Sequence, residues 1–397
     1  MRRTHWLLLL AFAGVLWLAT VRLTKISDVN SGPNEILGKT TSPSSGLTNA
    51  SKTRRVSTGA TASISTNSSG TLELAFQEAL SRLRTDRKPE KSRVLMQTLM
   101  DQVKASGFEA GSTRAILRFL DSGQDEATGL AFTVGAKHAL VEAPTLRTAA
   151  LDWLGQLDPV AAANYSIRIF EAMSSPEEYA VALRNFARGC PTQRDELRSY
   201  FDRLRTHQPW ASRPTPGFLE AFDVVPYLAD PAFLQPLASL LSTSSSTALR
   251  HAALVALDRL VIVNPSSVLA DLIESNRLED QPQMRAAFVA RSDIRDPGQR
   301  QAVERYLESS GLSELELDYF VSLFPNANRF VSHNLLTDSS MPSLAQIAAL
   351  DVAALTRVRV WQAEPRFRRW HAKLERLATR LQEQVESANR GGYWPSR

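Results

Sequence analysis

The chain has 397 residues, with 46 Lys or Arg and 41 Asp or Glu, so its formal net charge is +5. Residues 1–60 hold 8 basic and 2 acidic side chains and residues 356–397 hold 10 and 4, which leaves −7 for the middle of the chain. Such a middle region lacks the basic excess typical of nucleic-acid-binding domains, so we expect no nucleic-acid partner. An apolar fraction of 43% excludes a mainly disordered chain, and a single cysteine excludes an intramolecular disulfide and a cysteine-rich zinc site.

The amino terminus has the pattern of a membrane anchor. Two arginines precede an uncharged run over residues 6–21, and Arg22 and Lys25 follow it. A spanning helix needs about 20 apolar residues, and the run approaches this length if Arg22 extends its side chain to the membrane interface. Trp17 stands where a signal-peptide cleavage site needs a small residue. We therefore expect an uncleaved signal anchor over residues 1–25, with a cleaved signal peptide as the alternative.

The charges on the two sides of the apolar run indicate an orientation. The amino group and two arginines lie before it, and two basic residues lie after it, which favours a cytoplasmic amino terminus. We expect a single-pass membrane protein whose body lies in a periplasm or a lumen.

Residues 26–70 have the composition of a disordered linker. Ser, Thr, Asn and Gly account for 27 of these 45 residues, and no apolar periodicity is present. Such a segment cannot bury enough apolar surface to offset the entropy lost on ordering. A flexible chain of this length spans about 35–40 Å.

From residue 71 onward the apolar residues recur at spacings of three and four, which predicts helices. No stretch shows sustained two-residue alternation, so no strands are predicted. One helical pattern recurs: residues 146–157 and 249–260 are the best copies, and weaker copies begin at Arg114, Arg184 and Arg285. The steps give a period of 33–37 residues, with further copies expected near Phe218 and Asp318, which is the length of one helix hairpin.

The two best copies resemble the second helix of HEAT repeats, in which an apolar residue and an arginine precede an alanine and then spaced leucines. The matching residues of the first copy are Leu146, Arg147, Ala150, Leu154, Gly155 and Leu157. The resemblance implies an all-α fold, a right-handed α-solenoid of degenerate HEAT-like hairpins over residues 71–365. A compact helical bundle without repeats is the alternative.

Sequence motifs for catalysis or metal binding are absent. The chain has no nucleophile elbow, phosphate-binding loop, dinucleotide-binding loop or His-Glu-x-x-His stretch. No two of the six histidines lie three to five residues apart, so no local metal pair is formed. We predict no catalytic, cofactor-binding or metal-binding residues and no cofactor, although residues from separate repeats could still assemble an active site.

One polar loop within the apolar body is a candidate for binding a ligand or a partner. Residues 323–334 place asparagines, a proline and a histidine among large apolar side chains, and the candidate contacts are Asn326, Asn328, Arg329 and His333. The alternative is a turn stabilised by asparagine side chains.

The segment 366–397 is predicted to form a basic amphipathic helix followed by a tail. An apolar stripe recurs at steps of three and four, and it comprises Phe367, Trp370, Leu374, Leu377, Leu381 and Val385. A basic row flanks the stripe, and the candidate contacts here are Arg369, Trp370, Lys373 and Arg376.

Several functions suit this terminal helix. It could cap the last repeat, with its basic row facing solvent, or dock on anionic lipid headgroups. Pairing with a partner helix and stacking on single-stranded nucleic acid are further possibilities, and an extracytoplasmic location disfavours the last.

These patterns together indicate a membrane-tethered, noncatalytic α-solenoid that binds a protein or polymer partner on its repeat surface. The alternative is an exported enzyme whose site is assembled across repeats.

Overall fold

The computed structural model describes residues 64–86, 88–106, 110–275 and 277–390. The chain divides into the units Met1–Gly59 and Ala60–Arg397, and all described residues belong to the second unit. The predicted anchor over residues 1–25 and most of the predicted linker lie outside the described residues. The first helix begins at Ile64, within the segment assigned to the linker from its composition.

The second unit is mostly helical, which confirms the predicted all-α class. The α-helices are α1 Ile64–Thr85, α2 Pro89–Ala105, α3 Ala110–Asp121, α4 Leu146–Leu157, α5 Pro159–Ala172, α6 Pro176–Gly189, α7 Arg194–Thr206, α8 Gln208–Ser212, α9 Pro216–Glu220, α10 Val224–Leu228, α11 Leu234–Thr243, α12 Thr247–Val263, α13 Pro265–Glu274, α14 Pro282–Val289, α15 Pro297–Glu308, α16 Glu314–Leu323, α17 Leu344–Ala363 and α18 His371–Asn389. Short 3-10 helices span Ala136–His138, Ala221–Asp223, Pro231–Phe233 and Pro365–Trp370.

Many of these helices begin at sequence signals that satisfy their free amide groups. A proline occupies the first turn of α6, and the side chain of Ser175 before it accepts a hydrogen bond from the amide of Glu178 at 3.3 Å. Helix α17 begins with a capping box formed by Ser343 and Gln346. A proline in the first turn of a helix costs no hydrogen bond, because an N–H at that position would have no partner inside the helix.

The copies of the recurring sequence pattern lie in helices that contact one another. Helix α3 packs against α4, α4 against α6, α6 against α9, α9 and α10 against α12, and α14 against α16. The helices between them form further contacts, since α11 packs against α13 and α13 against α15. The helices that carry the copies therefore contact each other in two stretches, from α3 to α12 and from α14 to α16, and the buried apolar residues of the body form one continuous core.

Two short β-hairpins interrupt the helices. Strands β1 Thr133–Val134 and β2 Leu140–Glu142 pair antiparallel, as do β3 Ser332–His333 and β4 Asp338–Ser339. The absence of predicted strands is corrected here. Strands of two or three residues are too short to produce a two-residue alternation in the sequence.

Buried ion pairs join helices that are neighbours in the body. Arg147 of α4 binds Glu178 of α6, and Arg184 of α6 binds Asp152 of α4. Arg285 of α14 binds Glu316 of α16 in the same way, and further pairs with side chains under 10% exposed are Arg259–Asp223 and Arg291–Asp258. The partners are 31–36 residues apart in sequence, close to the period of 33–37.

Among the helices of the described ranges, no single one combines the length and apolar composition needed to cross a membrane. Helices α12 and α13 pass that test only as a pair, and they meet at a bend of 117°.

Candidate functional site

The terminal helix packs on the body through its apolar stripe. Phe367, Leu374, Leu377 and Leu381 are buried, and Val385 is partly buried against the core. Trp370 is 8% exposed, and its Nε1 donates a hydrogen bond to the carbonyl oxygen of Leu307 at 2.9 Å. The apolar stripe is therefore buried against the rest of the body, where α16 and α17 contact α18.

The basic row of the terminal helix does not face solvent freely, which corrects the expectation for a cap. Arg369 donates to the carbonyl oxygens of Leu307 and Ser309 at 3.0 and 2.8 Å. Nζ of Lys373 lies 2.7 Å from both carboxylate oxygens of Asp318, and Arg376 contacts the same carboxylate at 2.6 Å. The partners of these three cations therefore lie on α16 and at the end of α15.

Asp318 is held ionised by this contact. Burial alone would raise its pKa, but hydrogen bonds from Lys373 and Arg376 outweigh that effect, so the pKa lies below its ordinary value. The two cations therefore attach the terminal helix to α16, Lys373 as a mostly buried side chain and Arg376 as an exposed one.

The candidate polar loop begins at the end of α16. Residues 324–343 connect α16 to α17, and we call this segment the interhelical loop. The amide of Asn326 donates to the carbonyl oxygen of Ala290 at 2.7 Å, and the amide of Asn328 donates to Oδ1 of Asn326 at 3.2 Å. The expected asparagine turn is thus present, and Arg291 donates to the carbonyl oxygen of Asn328. Arg329 is exposed.

The middle of the interhelical loop is held by Asp223, a residue more than a hundred positions earlier. Its carboxylate accepts hydrogen bonds from the amides of Leu336 and Thr337 at 2.6 and 2.8 Å and from the Thr337 hydroxyl. Nη1 of Arg259 donates to the same carboxylate at 2.8 Å. Four donors therefore satisfy one buried carboxylate and fix the loop.

A second contact joins the loop to the turn before β2. Nδ1 of His138 donates to the carbonyl oxygen of Asn334 at 2.7 Å, and Nδ1 of His333 donates to Asp338 at 3.0 Å across the β3–β4 hairpin. His333 therefore stabilises its own hairpin. The backbone of His138 has a positive φ of 62°, which is uncommon for a residue other than glycine, and Arg184 donates to its carbonyl oxygen at 2.9 Å.

The loop and two helical segments enclose a cleft of about 260 Å³, which we call the Glu220 cleft. Its walls come from the α9–Asp223 segment, from α12 and from the loop. The lining includes Glu220, Phe222, His251, Ala252, Val255, Phe330 and Val331. His251 and Val331 are exposed, so the cleft opens to solvent at these residues.

Glu220 is the unusual group of this cleft. Its side chain has no hydrogen bond or ion pair with any described residue, whereas Asp223 beside it has four donors. Burial, together with the nearby Asp223 carboxylate, raises the pKa of Glu220 to about 7 even though Arg259 lowers it. A carboxyl group in this state can exchange a proton near neutral pH and can accept a cation.

A larger groove of about 470 Å³ lies between α2, β2 and α4. Its ionisable groups are engaged, because Arg93 binds Glu142 and Asp152 binds Arg184. The groove offers apolar surface but no polar group that would select a ligand.

The sequence identified one wall of the cleft and missed the others. The predicted loop supplies Phe330 and Val331, while Asn326 and Asn328 serve its turns and His333 its hairpin. The sequence did not predict that Glu220 and His251 line the same cleft, because they are 31 positions apart on different helices. Their separation by about one repeat period was the available signal.

The terminal-helix candidates do not contribute to the cleft lining. Arg380 of that helix does contact the start of the interhelical loop, through the carbonyl oxygen of Phe324.

In the described part of the chain, no group of three or more His, Cys, Asp or Glu residues is placed to hold a metal ion. Comparison with known proteins gives no match to a family model, a curated protein or a solved structure.

Proposed function

We propose that this protein is a membrane-tethered, noncatalytic α-solenoid of degenerate HEAT-like repeats that binds a segment of a partner protein in the Glu220 cleft. The observation that carries the proposal is the fixed interhelical loop. Because Asp223 and Arg259 hold it, one wall of the cleft is ordered before a partner arrives, and binding does not have to order it.

Two observations support the repeat architecture. The helices that carry the sequence copies contact one another in succession from α3 to α12 and again from α14 to α16, as neighbouring repeats do in a solenoid. The ion pairs that join them have sequence separations close to the repeat period, so the same kind of bond recurs from one pair of helices to the next.

The membrane attachment rests on residues 1–25, with their uncharged run and flanking basic residues. In this proposal the amino terminus is cytoplasmic, residues 26–63 link it to the body, and the cleft is presented outside the cytoplasm. The contacts of Arg369 and Lys373 with the body argue against anionic lipid as a partner of the terminal helix, because these cations already have partners.

Site-specific photo-crosslinking in the native host tests the proposal. A photoreactive residue at Val331, which is 62% exposed at the cleft, should crosslink to a defined partner. The matched control is Val160 on α5, which is 63% exposed and distant from the cleft lining. An Ala252→Trp change that fills the cleft should abolish the crosslink at Val331 while leaving the melting temperature of the body within a few degrees. A partner captured equally from Val331 and Val160 would contradict the proposal.

A second candidate function is an exported enzyme with a site assembled across repeats. Glu220 and His251 converge from different helices, and the pKa of Glu220 lies near neutral pH, where a general acid or base works well. A panel of ester, amide and glycoside substrates tests this function. Turnover that is present in the parent and lost in Glu220→Gln would favour it over the binding function.

A further inference from the structure

The chemistry of the cleft shows what kind of group it can receive. Glu220 is an acid of the lining with no hydrogen bond or ion pair to any described residue, and the arginine of the lining, Arg259, is paired with Asp223. Placing an ionised carboxylate in a mostly buried site without a partner is unfavourable, and an arriving cation removes that cost. The cleft is therefore suited to a positively charged ligand.

The walls favour a cation carried on an apolar stem. Phe222 and Phe330 line the cleft, and the imidazole of His251 stands 6.4 Å from the Phe330 ring, centroid to centroid. Aromatic rings attract cations at their faces. The remaining contacts include Ala252 and Val255, which are suited to methylene groups.

The size of the cleft limits the ligand. Its volume of about 260 Å³ lies below the roughly 300–1,000 Å³ typical of sites for larger organic molecules. One long side chain of a partner fits this space better than a whole cofactor.

Other charged groups around Glu220 do not alter this preference. Asp223 lies on its own segment, and Arg259 of α12 is paired with Asp223. His251 of α12 lines the mouth, and the loop supplies the neutral residues Ser332 and Asn334. Ionisation of Glu220 thus adds a negative charge next to a pair that is already balanced.

We propose that the cleft binds an aliphatic primary ammonium group, such as the end of a lysine side chain, with the Glu220 carboxylate as its counter-ion. This inference rests on the proposed partner-binding function and names the chemistry of the bound segment. Ionisation of Glu220 is required for binding, so affinity rises with pH through the neutral range.

Titration of the purified full-length chain with n-butylamine tests the inference. The amine has the basicity of a lysine side chain and stays charged at pH 5.5 and pH 8, so any change between them reports on the protein. With the pKa of Glu220 at about 7, roughly 3% of the carboxyl groups are ionised at pH 5.5 and roughly 90% at pH 8. Saturation-transfer NMR should give a dissociation constant about 30-fold larger at pH 5.5. The neutral isostere 1-butanol should bind weakly and without this pH dependence.

Two variants identify the carboxyl group responsible. Glu220→Gln should remove the pH dependence and weaken amine binding at pH 8 by about tenfold or more. Glu196→Gln, a change at an exposed acid of α7, should leave both unchanged. Circular dichroism should show the same helix content in both variants. Equal amine affinity in the parent and in Glu220→Gln would overturn the inference.

The outcomes for the two proposals are distinct. A crosslinked partner at Val331 without butylamine binding would refute the ammonium inference and retain the binding function. Butylamine binding without a cleft-specific crosslink would retain the ammonium site and refute the partner-binding function.

Discussion

Asp223 accepts a hydrogen bond from the amide of Thr337 at 2.8 Å, although 114 residues separate them in the sequence. The same carboxylate binds Arg259 and the amide of Leu336, so three segments meet at one buried group. These contacts attach the interhelical loop to α12 and to the segment that contains Asp223. The Glu220 cleft lies between these three parts.

Removing this carboxylate should loosen the loop and destabilise the body. Asp223→Ala leaves Arg259 buried without its partner, and losing one member of a buried pair costs about 3–5 kcal/mol. Chemical denaturation measures the loss. Trypsin should also cleave faster after the exposed Arg329, because the loop has lost its attachment.

The control is Asp230→Ala, which removes the partner of the more exposed Arg198. A pair of this kind contributes about 0–1 kcal/mol. Equal losses for Asp223→Ala and Asp230→Ala would show that the buried contact has no special role.

Arg184 and Asp152 provide a test of the contact between α4 and α6. Both side chains are fully buried, and Arg184 also holds the carbonyl oxygen of His138. Arg184→Met should cost about 3–5 kcal/mol because Asp152 remains as an unpaired buried charge. Adding Asp152→Asn should recover part of that loss, since the stranded charge is removed. A double variant whose loss equals the sum of the single losses would contradict this coupling.

Glu220 should make stability depend on pH. Its pKa is raised from an ordinary 4.5 to about 7 in the folded state, so protonation favours folding. This contribution is full below about pH 4.5 and is lost as pH rises through about 7. Glu220→Gln should therefore match the parent at pH 4 and exceed its free energy of unfolding by at most about 3 kcal/mol at pH 8. Denaturant titrations at both pH values measure the difference.

The comparison with Glu220→Gln is needed because other buried acids act in the same direction. Burial raises the pKa of Asp351 on α17 to about 6 despite the opposing effect of Arg380, and burial also raises the pKa values of Asp125 and Asp258. The parent alone therefore reports several groups. A variant that gains nothing between pH 4 and pH 8 would refute the assignment to Glu220.

Trp370 tests the packing of the terminal helix. Trp370→Ala should cost about 3–5 kcal/mol because it leaves a cavity beneath α18. Trp370→Phe keeps most of the apolar volume and loses the hydrogen bond to Leu307, which costs about 1 kcal/mol. Melting curves of both variants give the ranking. A melting temperature for Trp370→Ala equal to that of the parent would exclude the observed packing.

The basic row should contribute unevenly to stability. Lys373 is 18% exposed and binds both oxygens of Asp318, so Lys373→Gln should cost about 1.5–3 kcal/mol. Arg376 is 62% exposed, and Arg376→Gln should cost less than about 1 kcal/mol. Because the pKa of Asp318 is lowered, the Lys373 contribution is present above about pH 4 and disappears as pH falls through the lowered value. Chemical denaturation of both variants at pH 7 and at pH 2.5 measures these contributions. Equal losses for Lys373→Gln and Arg376→Gln at pH 7 would contradict the ranking.

The sequence by itself determined the helical class and the positions of individual helices. The copy at residues 146–157 coincides with helix α4, and the caps at Ser175 and Ser343 lie where helices α6 and α17 begin. These features are local, because a helix repeats every 3.6 residues and its first turn is satisfied by residues within four positions. A reader of the sequence can therefore find them without knowing what packs where.

Only the tertiary structure decided which groups meet. Asp223 pairs with Thr337, and Lys373 pairs with Asp318, across separations that no periodicity marks. The strands at 332–333 and 338–339 are likewise too short to leave a pattern. Asp223 and Glu220 both carry a carboxyl group, but that of Asp223 accepts several hydrogen bonds and that of Glu220 accepts none from the described residues. The difference arises because folding brings donors within hydrogen-bonding distance of Asp223 only.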